Sequence, residues 1–251
     1  MRLESYTPKL EDLLIFALIP DVRNGFYIDV GAHDPTWGSI TKFFYDRGWH
    51  GINIEPLKDH CLALDEMRPR DINLCIGLGS EHGEAFLYEL PASRGLSTFS
   101  KDVAEFSFKA FGKIANDESK SKGFKHSEAT QIFTMTEIFQ SYCDPQKPIH
   151  FCKIDVEGFE KEVLLGVKDW QKFRPWIFCI EATIPMTNVP SYEDWEPILL
   201  NNGYQFLFMH DVNRFYLDSR RSHLAKTSSE VEEFLSRHNM ILFKPQSLQL
   251  G

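Results

Sequence analysis

The order of apolar and polar positions along the chain alternates between two periods. In residues 9–19 (KLEDLLIFALI), Leu10, Leu13, Leu14, Ala17 and Leu18 recur at helical spacing and predict an amphipathic helix. Asn24-Gly25 breaks that pattern, and FYIDV (26–30), aromatic and β-branched, reads as a strand. SITKFFYD (39–46) reads as a helix with Ser39 as its cap and Gly48 as its stop. GINIE (51–55), ended by Pro56, is a second strand, 58–68 a second helix, and NLCIGL (73–78) a third strand. A β-α-β-α-β run with short connections predicts a parallel, doubly wound sheet.

The alternation breaks at 92–128, which is polar and rich in lysine towards its end and is expected to be an insertion or loop covering a site. It resumes with TEIFQSYC as a helix, 149–156 as a strand, 157–167 as a helix, 176–182 as a strand and 193–201 as a helix. The stretches 204–211 and 214–218 predict a closing antiparallel hairpin around Asn213, and SSEVEEFLSRHN a last helix. The expected organisation is one domain over 1–251, with an N-terminal helical cap (1–24), the 92–128 insertion and a C-terminal helix and tail (225–251).

The composition narrows the function. A net charge of −9 disfavours a general nucleic-acid binder, which needs excess Lys and Arg to displace counterions. The cysteines Cys61, Cys75, Cys143, Cys152 and Cys179 are odd in number and never paired as C-x-x-C, so they read as reduced thiols of a cytoplasmic protein. The first residues lack the features of a signal peptide, and no run reaches the roughly 18 to 20 apolar residues of a membrane span.

In an open α/β sheet the ligand sits outside the carboxyl ends of the strands, where the strand order reverses. The residues there are Asp29 with Gly31, Ala32, His33 and Asp34; Glu55; Gly77 to Ser80; Asp155 with Glu157; Glu181; and His210 with Asp211. The first turn, D-V-G-A-H, has one glycine where a pyrophosphate cradle needs G-x-G-x-x-G, and an aspartate there repels a diphosphate and attracts an ammonium. Glu55, 24 residues after Gly31, is placed to accept hydrogen bonds from ribose hydroxyls. One acid for a ribose and one for an amino group describe S-adenosylmethionine better than a nicotinamide dinucleotide. GLGSEHG (77–83) reads as a strand-to-loop turn near an adenine.

Taken together, FYIDVGAHDP, GWHGINIEP and KIDVEGFEKEVLLG resemble the FkbM family of S-adenosylmethionine-dependent methyltransferases, with TMTEIFQSY similar to the helix ahead of the third block. The resemblance spans about residues 8–185. It implies an α/β class I methyltransferase (Rossmann-like) fold, a three-layer sandwich whose mostly parallel seven-stranded sheet has its last strand antiparallel. It also implies O-methylation of a sugar hydroxyl, nucleotide-activated or glycan-linked, in bacterial surface polysaccharide or secondary-metabolite biosynthesis. Carried onto this chain, it gives Asp29 and Gly31 to the methionine part of the cofactor, Glu55 to its ribose, Ile76 and Gly77 to the surroundings of the adenine, and Asp155 and Glu157 to the methyl group and acceptor. Ala32, His33, Asp34 and Ser39 are counted with the cofactor site, Asp34 also being able simply to open the turn at Pro35.

A sulfonium methyl is already activated, so the chain must align an acceptor oxygen and remove its proton. Asp155 is the leading base, followed by Glu157, His33 and His210. A metal alternative uses the same acids: Asp155 and Glu181 end neighbouring strands, and Mg2+ or Mn2+ between them would bridge to two sugar hydroxyls, unless Glu181 instead pairs with a local Arg or Lys. Arg94, Lys101, Arg214, Arg220 and Arg221 are candidates to meet a phosphorylated or nucleotide-linked acceptor. The competing readings are a non-catalytic module of this fold in a glycan-biosynthesis complex, against which the intact acids weigh, and a nucleotide-sugar oxidoreductase, against which the missing glycine pattern weighs.

Overall fold

The computed structural model describes residues 2–89, 94–115, 125–172 and 174–244. Strand residues of alternating direction, apolar on both sides, explain the central layer. In β2 (Phe26–Val30), Tyr27 faces one apolar cluster and Ile28 the other; Phe151 and Cys152 in β8 (Phe151–Ile154), and Ile177 and Phe178 in β9 (Ile177–Glu181), divide the same way. All six are essentially inaccessible to solvent, so the sheet is covered on both faces. One cover consists of α5 (Met135–Tyr142), α6 (Glu160–Leu165) and α7 (Glu196–Asn201); the other consists of α1 (Glu11–Leu18), α2 (Lys42–Tyr45) and α8 (Ser228–Ser236).

The sheet also contains β3 (His50–Ile54), β4 (Ile72–Leu74), β10 (Tyr204–His210) and β11 (Asn213–Asp218), in the order β10-β11-β9-β8-β2-β3-β4. Strands β2, β3, β4, β8 and β9 are parallel, while β11 runs antiparallel to both neighbours. The sheet is therefore mixed, with the expected hairpin at 204–218. The chain leaves β2 in one direction through β3 and β4, then returns to β8 on the other side, which opens a crevice beyond the carboxyl ends of β2 and β8.

Several boundaries differ from the sequence reading. The strand expected over 73–78 is two: β4 stays in the main sheet, and β5 (Gly77–Leu78) joins β7 (Lys125–Phe133) and β6 (Gly83–Glu89) in a separate three-stranded sheet. The N-terminal region is more than a helical cap, since β1 (Arg2–Ser5) pairs in parallel with β12 (Asn239–Leu242), a strand inside the segment read as tail. Asp12 ties this corner together by accepting from Ser5 Oγ at 2.6 Å and Tyr6 N at 2.7 Å. Ser39 does not cap α2; Thr41 holds that position, and the helix has only four residues. The described part of 92–128 contains α4 (Lys101–Ala115) and the start of β7. Residues 92–93, 116–124 and 245–251 and the side chain of Arg94 lie outside the described residues. Thr134 and Glu137 close a reciprocal capping box at the start of α5, worth about 1 kcal/mol. No helix among the described residues is long and apolar enough to cross a membrane.

Candidate active site

Two adjoining clefts of about 550 Å³ each open at the β2–β8 crevice and share Gly31, His33, Gly95, Asp155 and Glu157. One is mainly apolar, walled by Ile54, Ile76, Leu78, Phe99 and Phe159, with Glu55 and Gly77 on its lining. The other is polar, lined by Asp29, Ala32, Asp34, Ser39 and Lys153 among others. The first turn after β2, Glu55 and the turn after β8 thus meet in one place, as do Ile76 and Gly77.

The backbone there is tightly fitted. Gly31 has φ +77°, and a Cβ on it would lie 1.9 Å from the carbonyl oxygen of Asp155. The direction a side chain would take from Gly31 is thus occupied by the backbone just after β8, while Gly31 itself lines both clefts. His33 and Glu157 also adopt left-handed conformations, at φ 50° and 54°, a geometry that costs an L-residue about 1 to 2 kcal/mol. The His33 amide donates to Glu55 Oε2 at 2.9 Å, and the Leu57 amide to Glu55 Oε1 at 2.8 Å, so Glu55 fixes the turn as well as facing the cleft. Burial pushes the Glu55 carboxyl above the usual range, against the pull of those two amides. The His33 ring stacks on His60 at 4.3 Å, and burial, with His60 and Lys153 nearby, holds it below the ordinary imidazole range.

Asp29 is 1 % exposed. Its Oδ2 accepts from Thr41 Oγ1 at 2.8 Å and its Oδ1 lies 3.4 Å from Lys153 Nζ. The cation that Asp29 meets in the fold is therefore Lys153. That lysine also lies 3.6 Å from Asp155 Oδ2 and donates to the Gly31 carbonyl at 2.5 Å. Burial alone would lower its pKa; Asp155 and Asp29 outweigh burial and raise it. Sequence reasoning missed Lys153, although a lysine inside FCKI is the same kind of signal as an aspartate inside FYIDV.

Asp34 Oδ1 accepts from the amides of Thr36 and Trp37, both at 2.7 Å, which makes it the opener of the turn. Ser39 Oγ lies within hydrogen-bond reach of Thr41 Oγ1 and Arg68. Asp155, whose side chain is 39 % exposed, stands where the two clefts join. Glu157 and Glu181 offer carboxylate oxygens within 4.8 Å of one another and of Asp155. Burial raises Glu157, with Asp155 and Glu160 adding to it; burial likewise raises Glu181, with Asp155 and Glu157 adding. Oε2 of Glu157 and Oε2 of Glu181 are buried without a hydrogen-bond partner, and among the described residues no ion pair reaches Glu181. Glu160, which the block KIDVEGFEKEVLLG contains but to which the sequence assigns no role, closes the turn by accepting from Val156 N and Gly158 N, both at 3.1 Å.

Other candidates lie elsewhere. His210 lines neither cleft; its Nε2 contacts the Lys9 carbonyl oxygen at 2.8 Å on the exposed sheet edge. Arg214 is held by Glu196 at 2.6 Å and packs on Tyr192 and Phe206. Because β11 is antiparallel, Arg220, bonded to Asp218, and Arg221, over the Trp176 ring, sit at the amino ends of the parallel strands, away from the crevice. Lys101 is an exposed residue 3.8 Å from Glu105.

Residues 29–206 match the profile of the methyltransferase FkbM domain. Among solved structures, the methyltransferase FkbM from Methylobacillus flagellatus KT is similar at 15 % identity, covering 78 % of this chain and 43 % of its own, with a TM-score of 0.45. This chain thus spans less than half of that protein's length. A TehB-like SAM-dependent methyltransferase from Corynebacterium glutamicum ATCC 13032 Kitasato is similar at 7 % identity, covering 82 % and 87 %, with a TM-score of 0.41. A search of curated proteins returned no match.

Proposed function

Since the chain belongs to the FkbM methyltransferase family, we propose that it is an S-adenosylmethionine-dependent O-methyltransferase of the class I (Rossmann-like) fold. Its proposed acceptor is a hydroxyl of a sugar, nucleotide-activated or glycan-linked, in surface polysaccharide or secondary-metabolite biosynthesis. The observation that carries the cofactor reading is the junction of an apolar and a polar cleft at the β2–β8 crevice, with Glu55 on one side and Asp155 at the join. This donor set suits a ligand with an aromatic base at one end and a zwitterion at the other.

Ile54, Ile76, Leu78 and Phe99 would hold the adenine, Glu55 the ribose, and the turn from Gly31 to Ser39 the methionine portion. The cofactor when bound supplies a methyl group on sulfonium, activated for transfer. Asp155 is the general base that takes the acceptor proton on a carboxylate oxygen. Lys153 orients Asp155 and carries the charge of Asp29, so that neither carboxylate stands alone in the buried part of the site. Glu160 and the left-handed Glu157 shape the turn that follows.

The test is incubation of the protein with S-adenosylmethionine and a panel of nucleotide-activated sugars, read by mass spectrometry for one added methyl. Asp155→Asn is expected to bind S-adenosylhomocysteine and lose transfer; near-normal turnover by that variant would remove Asp155 from the role of base.

A further inference from the structure

We propose that Asp155, Glu157 and Glu181 together form a binding site for one hard divalent cation, of the class of Mg2+, Mn2+ or Ca2+. The site deepens the methyltransferase reading, and only the cation's use toward an acceptor rests on that reading. Each residue offers one carboxylate oxygen, and the three oxygens all lie within 4.8 Å of one another. Cation–oxygen bonds are about 2.0 to 2.6 Å, so three carboxylate oxygens gathered this closely can converge on one ion with small side-chain rotations.

The oxygens come from three places that the fold brings together. Asp155 follows β8, Glu181 ends the neighbouring β9, and Glu157 reaches in from a left-handed position at φ 54°. Glu181 carries the argument furthest. It is 9 % exposed, its Oε2 is buried with no hydrogen-bond donor, and that side chain is turned towards the other two carboxylates. A buried carboxylate oxygen without a donor is costly unless something positive completes it.

The neighbouring protein groups do not complete it. Lys153 divides its contacts among Asp29, Asp155 and the Gly31 carbonyl. No ion pair reaches Glu157 or Glu181 among the described residues, and Oε2 of Glu157 is also buried and unpartnered. Glu160 is already occupied by the Val156 and Gly158 amides, so it supports the turn and leaves three acids to the ion. An all-oxygen, all-carboxylate set selects hard cations over zinc or copper. Three protein ligands leave coordination positions for water or for vicinal hydroxyls of an acceptor in the cleft that Asp155 and Glu157 line.

The test is titration of Mn2+ into the full, cofactor-free chain, with free Mn2+ followed by electron paramagnetic resonance and Mg2+ and Ca2+ added as competitors. One bound ion per chain is expected, with affinity reduced about tenfold or more in Glu181→Gln and in Glu157→Ala. Thermal melts without metal should show both variants folded, Glu181→Gln at or above the wild-type midpoint; if Glu181→Gln fails to fold, Glu157→Ala decides alone. No Mn2+ bound at millimolar concentration, or undiminished binding in the folded variants, overturns the site. S-Adenosylhomocysteine binding measured in EDTA on the same preparations separates the two claims. Cofactor binding without Mn2+ binding overturns the cation site only. Mn2+ binding without cofactor binding supports the site and overturns the cofactor reading.

Discussion

Lys153 stands directly opposite Asp29 in the register of β8 and β2, with its ammonium 3.4 Å from Asp29 Oδ1 and 3.6 Å from Asp155 Oδ2. One buried cation thereby links the carboxylate inside the first strand to the carboxylate at the crevice. Lys153→Met removes the charge and keeps most of the volume, leaving Asp29 buried without its ion pair. A loss of about 3 kcal/mol or more in urea denaturation is expected. In the double variant with Asp29→Asn much of that loss should return, because the uncompensated charge is gone. Strict additivity of the two single changes would show that the pair is not coupled.

The glycine at the crevice is expected to tolerate no side chain. Gly31→Ala combines positive φ with a Cβ placed 1.9 Å from the Asp155 carbonyl, and should cost about 3 kcal/mol or more. Gly38→Ala is the control: its φ is +76° but nothing lies within 4 Å of the added carbon, so about 1 kcal/mol is expected from backbone conformation alone. Equal costs in chemical denaturation would mean that the contact with Asp155 is not what requires glycine at position 31.

The two histidines named as candidate bases should separate in a binding and turnover assay. His33 lines both clefts, and His33→Ala is expected to weaken S-adenosylhomocysteine binding about tenfold, or roughly 1.4 kcal/mol. His210 contacts Lys9 on the exposed edge, and His210→Ala should leave binding and turnover at wild-type values. A large catalytic loss in His210→Ala would contradict its placement outside the site.

Acid should destabilise the fold through His150. Its Nδ1 accepts the Phe26 amide at 3.0 Å, and burial holds its pKa down to about 4 from the ordinary 6.5. The unfolded chain therefore binds more protons than the folded chain between about pH 6.5 and 4, and stability falls as pH drops through that window. About 1 to 2 kcal/mol is the expected contribution between pH 7 and 5. His150→Asn keeps an acceptor for Phe26 without the titration and should flatten the pH dependence; equal pH slopes in both proteins would assign the effect elsewhere.

The sequence makes the central sheet legible where apolar runs end in acids. FYIDV, the GINIE region, FCKID and WIFCIE each become a parallel strand with its carboxyl end at the crevice, and the hairpin around Asn213 follows from two apolar runs separated by a turn. What is not legible depends on distant partners. The four residues of β1 find β12 more than 230 positions away, and no local pattern announces that pairing. The 73–78 run looks continuous because both halves are apolar, yet the backbone changes sheet between Leu74 and Gly77. Within the site, Glu55 and Asp155 are legible from strand-end position, whereas Lys153 acquires meaning only when FYIDV and FCKI are laid side by side. The basic residues around 220 lie away from the crevice because the antiparallel direction of β11 carries them to the other end of the sheet.

Calorimetric titration of S-adenosylhomocysteine into the wild-type protein and Glu55→Ala tests the central claim most directly, because Glu55 is the buried acid that faces the apolar cleft and fixes the His33 turn. Micromolar binding by the wild type, weakened about tenfold or more in Glu55→Ala, is the expected result. No binding by folded wild-type protein at millimolar ligand would contradict the account.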